Sequence, residues 1–60
     1  MSAGQAVQVE VYGGTIVRRI ASQVIGNKVV IVSEDEWANS QAEGRPAIGV
    51  GYDIEKVFYA

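Results

Sequence analysis

The sequence predicts a single small domain, mainly β, with one short helix at about 34–43. Three observations carry this. Ten Val and six Ile against no Leu make nearly all the aliphatic volume β-branched, and two heavy atoms on Cβ cost rotamer freedom in a helix while packing well on a pleated sheet. Near the start of the chain apolar residues alternate with polar ones, the period of two that a half-buried strand requires. One stretch, Ser33 to Pro46, carries matched start and stop signals for a helix. Sixty residues hold one core, since a chain of this size buries only about 60% of its unfolded surface.

Met1 to Gly4 is small and polar and is expected to be disordered. From Gln5 onward, Val7, Val9 and Val11 point to one side and Gln8, Glu10 and Tyr12 to the other, a strand that Gly13-Gly14 ends. Residues 15–25 admit more than one reading. The apolar pairs Ile16-Val17, Ile20-Ala21 and Val24-Ile25 are separated by the polar pairs Arg18-Arg19 and Ser22-Gln23. Wound as a helix, they segregate into an apolar and a polar face, with Thr15 as N-cap and Gly26 just past the end. Laid out as one continuous strand, they give two mixed faces. Intrinsic preference opposes the helix, because five of these eleven residues are Val or Ile. A strand followed by a turn removes the conflict, since no single period then has to hold from 15 to 25. The alternative fold is α+β, with a second helix at about 15–25 crossing between two parallel strands.

Lys28 to Val32 is a β-branched run, apolar on both faces, and reads as a central strand. One of its faces meets the core; the other needs cover from the helix that follows or from another copy of the molecule. Ser33-Glu34-Asp35-Glu36 matches the capping box, with Ser33 capping the amide three residues on and Glu36 reaching back. The acids of this first turn also suit the helix dipole. Trp37, Ala38, Gln41 and Ala42 share a side, Gly44 sits where a C-terminal glycine belongs, and Pro46 forbids continuation. Ala47 to Val50 then reads as a short strand, Gly51 to Lys56 as a turn with one loop of helix, and Val57 to Tyr59 as a closing strand.

Gly14-Thr15-Ile16-Val17-Arg18-Arg19-Ile20-Ala21-Ser22, then Gly26, then Val29-Val30-Ile31-Val32, resembles the KOW motif of ribosomal and transcription-factor SH3-like barrels. The glycines and the apolar positions between them align without a gap, over about a third of the chain. The ending, Ile48-Gly49-Val50, then Asp53-Ile54-Glu55 and Val57-Phe58, resembles the close of such a barrel, where a short helical turn precedes the last strand. The family's turn usually carries a glycine where Ser22 stands and charged residues where Val24-Ile25 stand. The resemblance implies an SH3-like small barrel, with strand at 15–21, turn at 22–27 and strand at 28–33. It also implies RNA or ribosome binding through Arg18, Arg19 and Lys28.

Composition narrows the chemistry. With no His and no Cys, the usual zinc sets, the Ser-His-Asp triad, thiolate nucleophiles and disulfides are excluded. Glu34, Asp35 and Glu36 point in different directions on a helix and are explained by capping. Asp53 and Glu55 suit a turn better than a cation site. No catalytic residue, cofactor or metal is therefore expected. Five cations against seven acids do not make the basic stripe a phosphate polyanion wants, so Arg18 and Arg19 read first as a solvated pair balancing Glu10 or Asp35. Trp37 reads either as an anchor for a partner or as a ring packing the helix on the sheet. Tyr12, Tyr52, Phe58 and Tyr59 are candidates for an aromatic rim. The functional expectation is a non-catalytic binding or assembly module, self-associating or docking on another protein. Tyr12, Trp37, Tyr52, Val30 and Val32 are its contact residues. No basic apolar leader opens the sequence, and its longest aliphatic run is Val29 to Val32, so the domain is expected to be cytoplasmic and free of membrane.

Overall fold

The computed structural model describes residues 2–60; of the segment 1–4 expected to be disordered, Met1 lies outside them, and residues 3–4 form a turn that leads into the first strand. The first strand, β1 (Gln5–Glu10), follows the alternation: Val7 and Val9 have no exposed surface, while Gln8 and Glu10 face water. It ends two residues sooner than the pattern implies. Val11 leaves the ladder and accepts a hydrogen bond from Gly14 N–H at 3.1 Å, closing a 3-10 turn at Tyr12–Gly14. Tyr12 is thus a turn residue.

Next comes β2 (Ile16–Ile25), a ten-residue strand, which corrects both the helix at 15–25 and the turn at 22–27. The chain reverses in two residues, Gly26-Asn27. Gly26 has φ +60° and Asn27 has no positive φ, the combination of a type II′ hairpin with glycine first. The helix-like spacing has another cause. β2 pairs with β1 through Ile16 to Ala21 and with β3 (Lys28–Val32) through Ile20 to Ile25, and its register on β3 shifts between Ala21 and Gln23. Ser22 is the extra residue of a β-bulge, and its hydroxyl donates to the Val30 carbonyl at 3.3 Å. Before the bulge Val17, Arg19 and Ala21 face the core side. After it Val24, paired with buried Val29, does so. Inward positions switch from odd to even, so apolar residues arrive in pairs.

After β3 follow α1 (Glu34–Glu43), β4 (Val50–Asp53), a 3-10 turn at Ile54–Lys56 and β5 (Val57–Tyr59). The strands form one antiparallel sheet in the order β4-β3-β2-β1-β5. β2 is shared between the β1 and β3 ladders, and α1 is inserted between the third and fourth strands. The concave side holds the core, Val7, Val9, Ala21, Val29, Ile31 and Val57, with Val17 and Tyr52 packed against it. Each fully buried Val or Ile among them contributes about 1.5–3 kcal/mol by leaving water. Among the described residues, no helix is long and apolar enough to cross a membrane.

The helix starts as its capping signal says: Ser33 Oγ accepts from Glu36 N–H at 3.0 Å. At its end Gly44 N–H donates to Gln41 O at 3.4 Å and Arg45 N–H to Ser40 O at 3.1 Å, the paired bonds of a Schellman close. The buried side differs from the expected one. Ala38, Gln41 and Ala42 are exposed, Ser40 is buried and Trp37 is half-buried. Trp37 lies on Gly4, where an added Cβ would sit 2.9 Å from Cζ2 of the indole. Gly4 N–H in turn donates to Ala21 O at 2.8 Å. Here α1 packs against β2, on the convex side that carries half-buried Ala6 and Ile20.

The fourth strand runs Val50–Asp53 rather than 47–50, and two contacts explain the shift. Ile48 N–H donates to the Glu36 carboxylate at 2.9 Å instead of joining a ladder. Gly49 then presses on the end of β3: an added Cβ would overlap the Ile31 carbonyl and lie 2.5 Å from Cγ1 of Val32. The strap 46–49 therefore covers Val32, the convex end of β3 for which the helix or a second copy was the expected cover. Gly49→Ala should lower stability by about 2 kcal/mol or more, through overpacking against a backbone that cannot yield. Gly51→Ala meets open space and should stay within about 1 kcal/mol of wild type. Urea denaturation of both variants measures the contrast.

Candidate functional site

Curling leaves the concave face open at one end. There a cleft of about 130 Å³ lies between Val9 and Val17 on one side, Ile31 on its floor and Val50 and Tyr52 on the other. Register explains the meeting. Val9 pairs with Val17, Ile31 with Val50, and Val29 with Tyr52, so all their side chains emerge on the inward side. Val11 and the Val32–Ser33 corner complete the rim. Arg19 also borders the cleft. It pairs with Val7 on the inward face of β2, where an apolar residue would have filled the space, and its Nη1 donates to the Arg18 carbonyl at 2.7 Å.

The charges sort by partner. Arg18 meets Glu34 at 3.4 Å, Lys28 meets Asp53, and Arg45 meets Glu36 at 2.7 Å and Glu43 at 3.2 Å. Arg19 and Lys56 have no acid partner among the described residues. Arg18 and Arg19 occupy successive positions and leave opposite faces of β2. Arg18 pairs with Glu34 and not with the expected Glu10 or Asp35. Lys28 sits at the far end of the same hairpin, some seven residues and roughly 20 Å from Arg18. Arg18 and Lys28 thus share the outer face at a distance, each held by an acid, while Arg19 leaves the inner one.

The five expected protein contacts are also dispersed. Tyr52 is half-buried and walls the cleft. Val32 is only 3% exposed, because the Gly49 strap lies over it, and meets the surface only at the rim of the cleft. Val30 is half-buried on the convex side of β3, and Trp37 rests on Gly4. Tyr12 stands fully in water at the tip of its turn. Phe58 and Tyr59 lie exposed on β5, and neither lines the cleft that Tyr52 walls. Sequence reasoning missed Val11, Val17 and Val50. Their shared position follows only from the Val50–Ile31 and Val9–Val17 pairings, which no short-range pattern reports.

One clamp positions the cleft's outer wall. Glu36, expected to reach back to its own N-cap, turns instead to Arg45. Nη1 and Nη2 donate to the two carboxylate oxygens at 2.7 and 3.3 Å, the bidentate geometry of a strong charge-assisted pair. Ile48 N–H donates to the same carboxylate, so α1, Arg45 and the strap leading into Val50 are tied at one point. The Arg45 hydrogen bonds, then the Ile48 amide, hold the Glu36 carboxyl down at about 2, from an ordinary 4.5. Asp53 is lowered too, chiefly by its hydrogen bond from Lys28. No known protein family, curated protein or solved structure matches the chain, so the site stands on its own geometry.

Glu36 binds its proton less readily folded than unfolded, so its stabilisation is complete above pH 4.5 and fades between 4.5 and about 2. Thermal melts should show wild type losing Tm across that window. Glu36→Gln should start lower at neutral pH and follow a flatter profile, the Asp53 contribution remaining.

Proposed function

We propose that the domain is a non-catalytic binding and assembly module that docks on polypeptide, a second copy or another protein, through the open end of its sheet. The observation that carries this is apolar surface left in water beside the cleft: Val50 is 63% exposed, although it faces the concave side opposite Ile31. Ile48 on the strap and Tyr12 beyond Val11 extend the exposure. Small monomers rarely keep such side chains clustered at a concavity unless something covers them. The displaced carboxyls, Glu36 and Asp53, owe their state to structural ion pairs, so they do not draw the reading toward acid–base chemistry.

The KOW resemblance supports a second proposal, an RNA- or ribosome-binding module. It is favoured by the glycines and apolar positions of the β2–β3 hairpin. It is opposed by the net charge of −2 and by the engagement of Arg18 and Lys28 with acids. In sedimentation velocity the wild-type mass should climb above 6.4 kDa as concentration rises, and Val50→Glu should hold it there. A heparin column at low salt should not retain the protein. Constant monomer mass at millimolar concentration would end self-assembly, and salt-sensitive retention would hand the domain to nucleic acid.

A further inference from the structure

We propose that the occupant of the cleft is Tyr12 of a second copy, in a two-fold dimer where each molecule gives its turn and receives its neighbour's. This rests on the module reading above and names its partner. Tyr12 is a large side chain with its whole surface in water, at the tip of a 3-10 turn. Nothing in its own molecule explains an aromatic there. Its chain neighbour Val11 lines the cleft, so protrusion and concavity are adjacent parts of one surface patch. That adjacency is what an isologous interface requires, because the same patch must serve both subunits. Size agrees: a cleft of about 130 Å³ is near the roughly 150 Å³ apolar cavity that accepts a benzene ring.

Charge agrees as well. Arg19 borders the cleft with no acid partner among the described residues, and Glu10, two positions before Tyr12, is exposed and likewise absent from the ion pairs of its own molecule. Glu10 leaves the face of β1 opposite to the cleft, but at the strand's last position, where the chain turns to Tyr12; a Tyr12 entering the cleft across a two-fold axis carries the end of β1, and Glu10 with it, toward Arg19, and the contact is made twice. Ser33, also on the rim, spends its oxygen lone pair on Glu36 N–H and keeps its hydroxyl hydrogen for the phenol of the incoming ring. The aromatic end anchors and the ion pairs orient, the usual division of labour at an interface.

Sedimentation equilibrium tests this on the intact chain. Wild type should approach twice 6.4 kDa and rise no further, since a two-fold contact closes. Tyr12→Ala alters a residue with no packing of its own, so circular dichroism should be unchanged while dimer dissociation rises about thirtyfold or more. Glu10→Arg and Arg19→Glu should each weaken the dimer, and the double reversal should restore it. Assembly that Val50→Glu abolishes but Tyr12→Ala leaves intact would overturn the pairing and spare the module reading. An open series of masses, or a double reversal weaker than either single one, would overturn it too. A strict monomer would remove both the dimer and the self-assembling form of the module.

Discussion

The bulge at Ser22 is the constraint from which the rest follows. A flat five-stranded sheet of this length has two faces and too few side chains to cover both. Curling makes one face the inside, and the extra residue in β2 supplies the bend. It lets β2 serve two ladders, β1 through its first half and β3 through its second. Ala21, at the joint, is fully buried because backbone from both halves converges there. The small side chain suits the crowding, and Ser22 beside it satisfies its own hydroxyl on the neighbouring strand. A substitution that straightened β2 would turn Val24 away from Val29 and expose the concave core along its length.

The cleft is what remains where so small a sheet curls without closing. β4 and β5 are edges joined by a 3-10 turn and not by a ladder, so one end must be filled by side chains. Arg19 stands where that filling would come from. A long basic side chain on an inward position sends its charged end back to solvent, and space beside it stays open between Val17 and Val50. The opening is therefore specified by one residue type at one register position. Aliphatics elsewhere on the same face, Val7 and Val29, close completely.

Much of this was legible. The alternation in β1, the Val/Ile run of β3, the Ser33 cap and the Gly44 stop each report a local preference, and each element formed close to where it was expected. Residues 15–25 resisted because a bulge breaks the very periodicity by which strands are recognised. Ala47 to Val50 misled because a strand propensity lost to two distant partners, Glu36 for the Ile48 amide and Ile31 for the Gly49 backbone. The site was less legible than the fold. Tyr12 and Arg19 stand out as residue types, but only the pairings of Arg19 with Val7 and Val50 with Ile31 set Arg19 and Val50 on one cleft, with Tyr12 outside it beyond Val11. Val32, chosen for its apolar run, proved to be core because a glycine elsewhere could approach it.

Stability and the proposed docking meet on the strap between α1 and β4. Its four residues carry no regular hydrogen bonding of their own, so their path is set from outside, by the Glu36 carboxylate at Ile48 and by the close seat of Gly49 on β3. Val50, the next residue, inherits that path and forms a wall of the cleft. Loosening the clamp thus acts in two ways at once: it removes a tie between helix and sheet, and it frees one wall of the cleft to move. A domain this small has a thin margin of stability, so an occupant that packs on Val50 also holds the strap in place. Binding and folding then share one set of contacts, and the occupied domain is the more stable one by mass action.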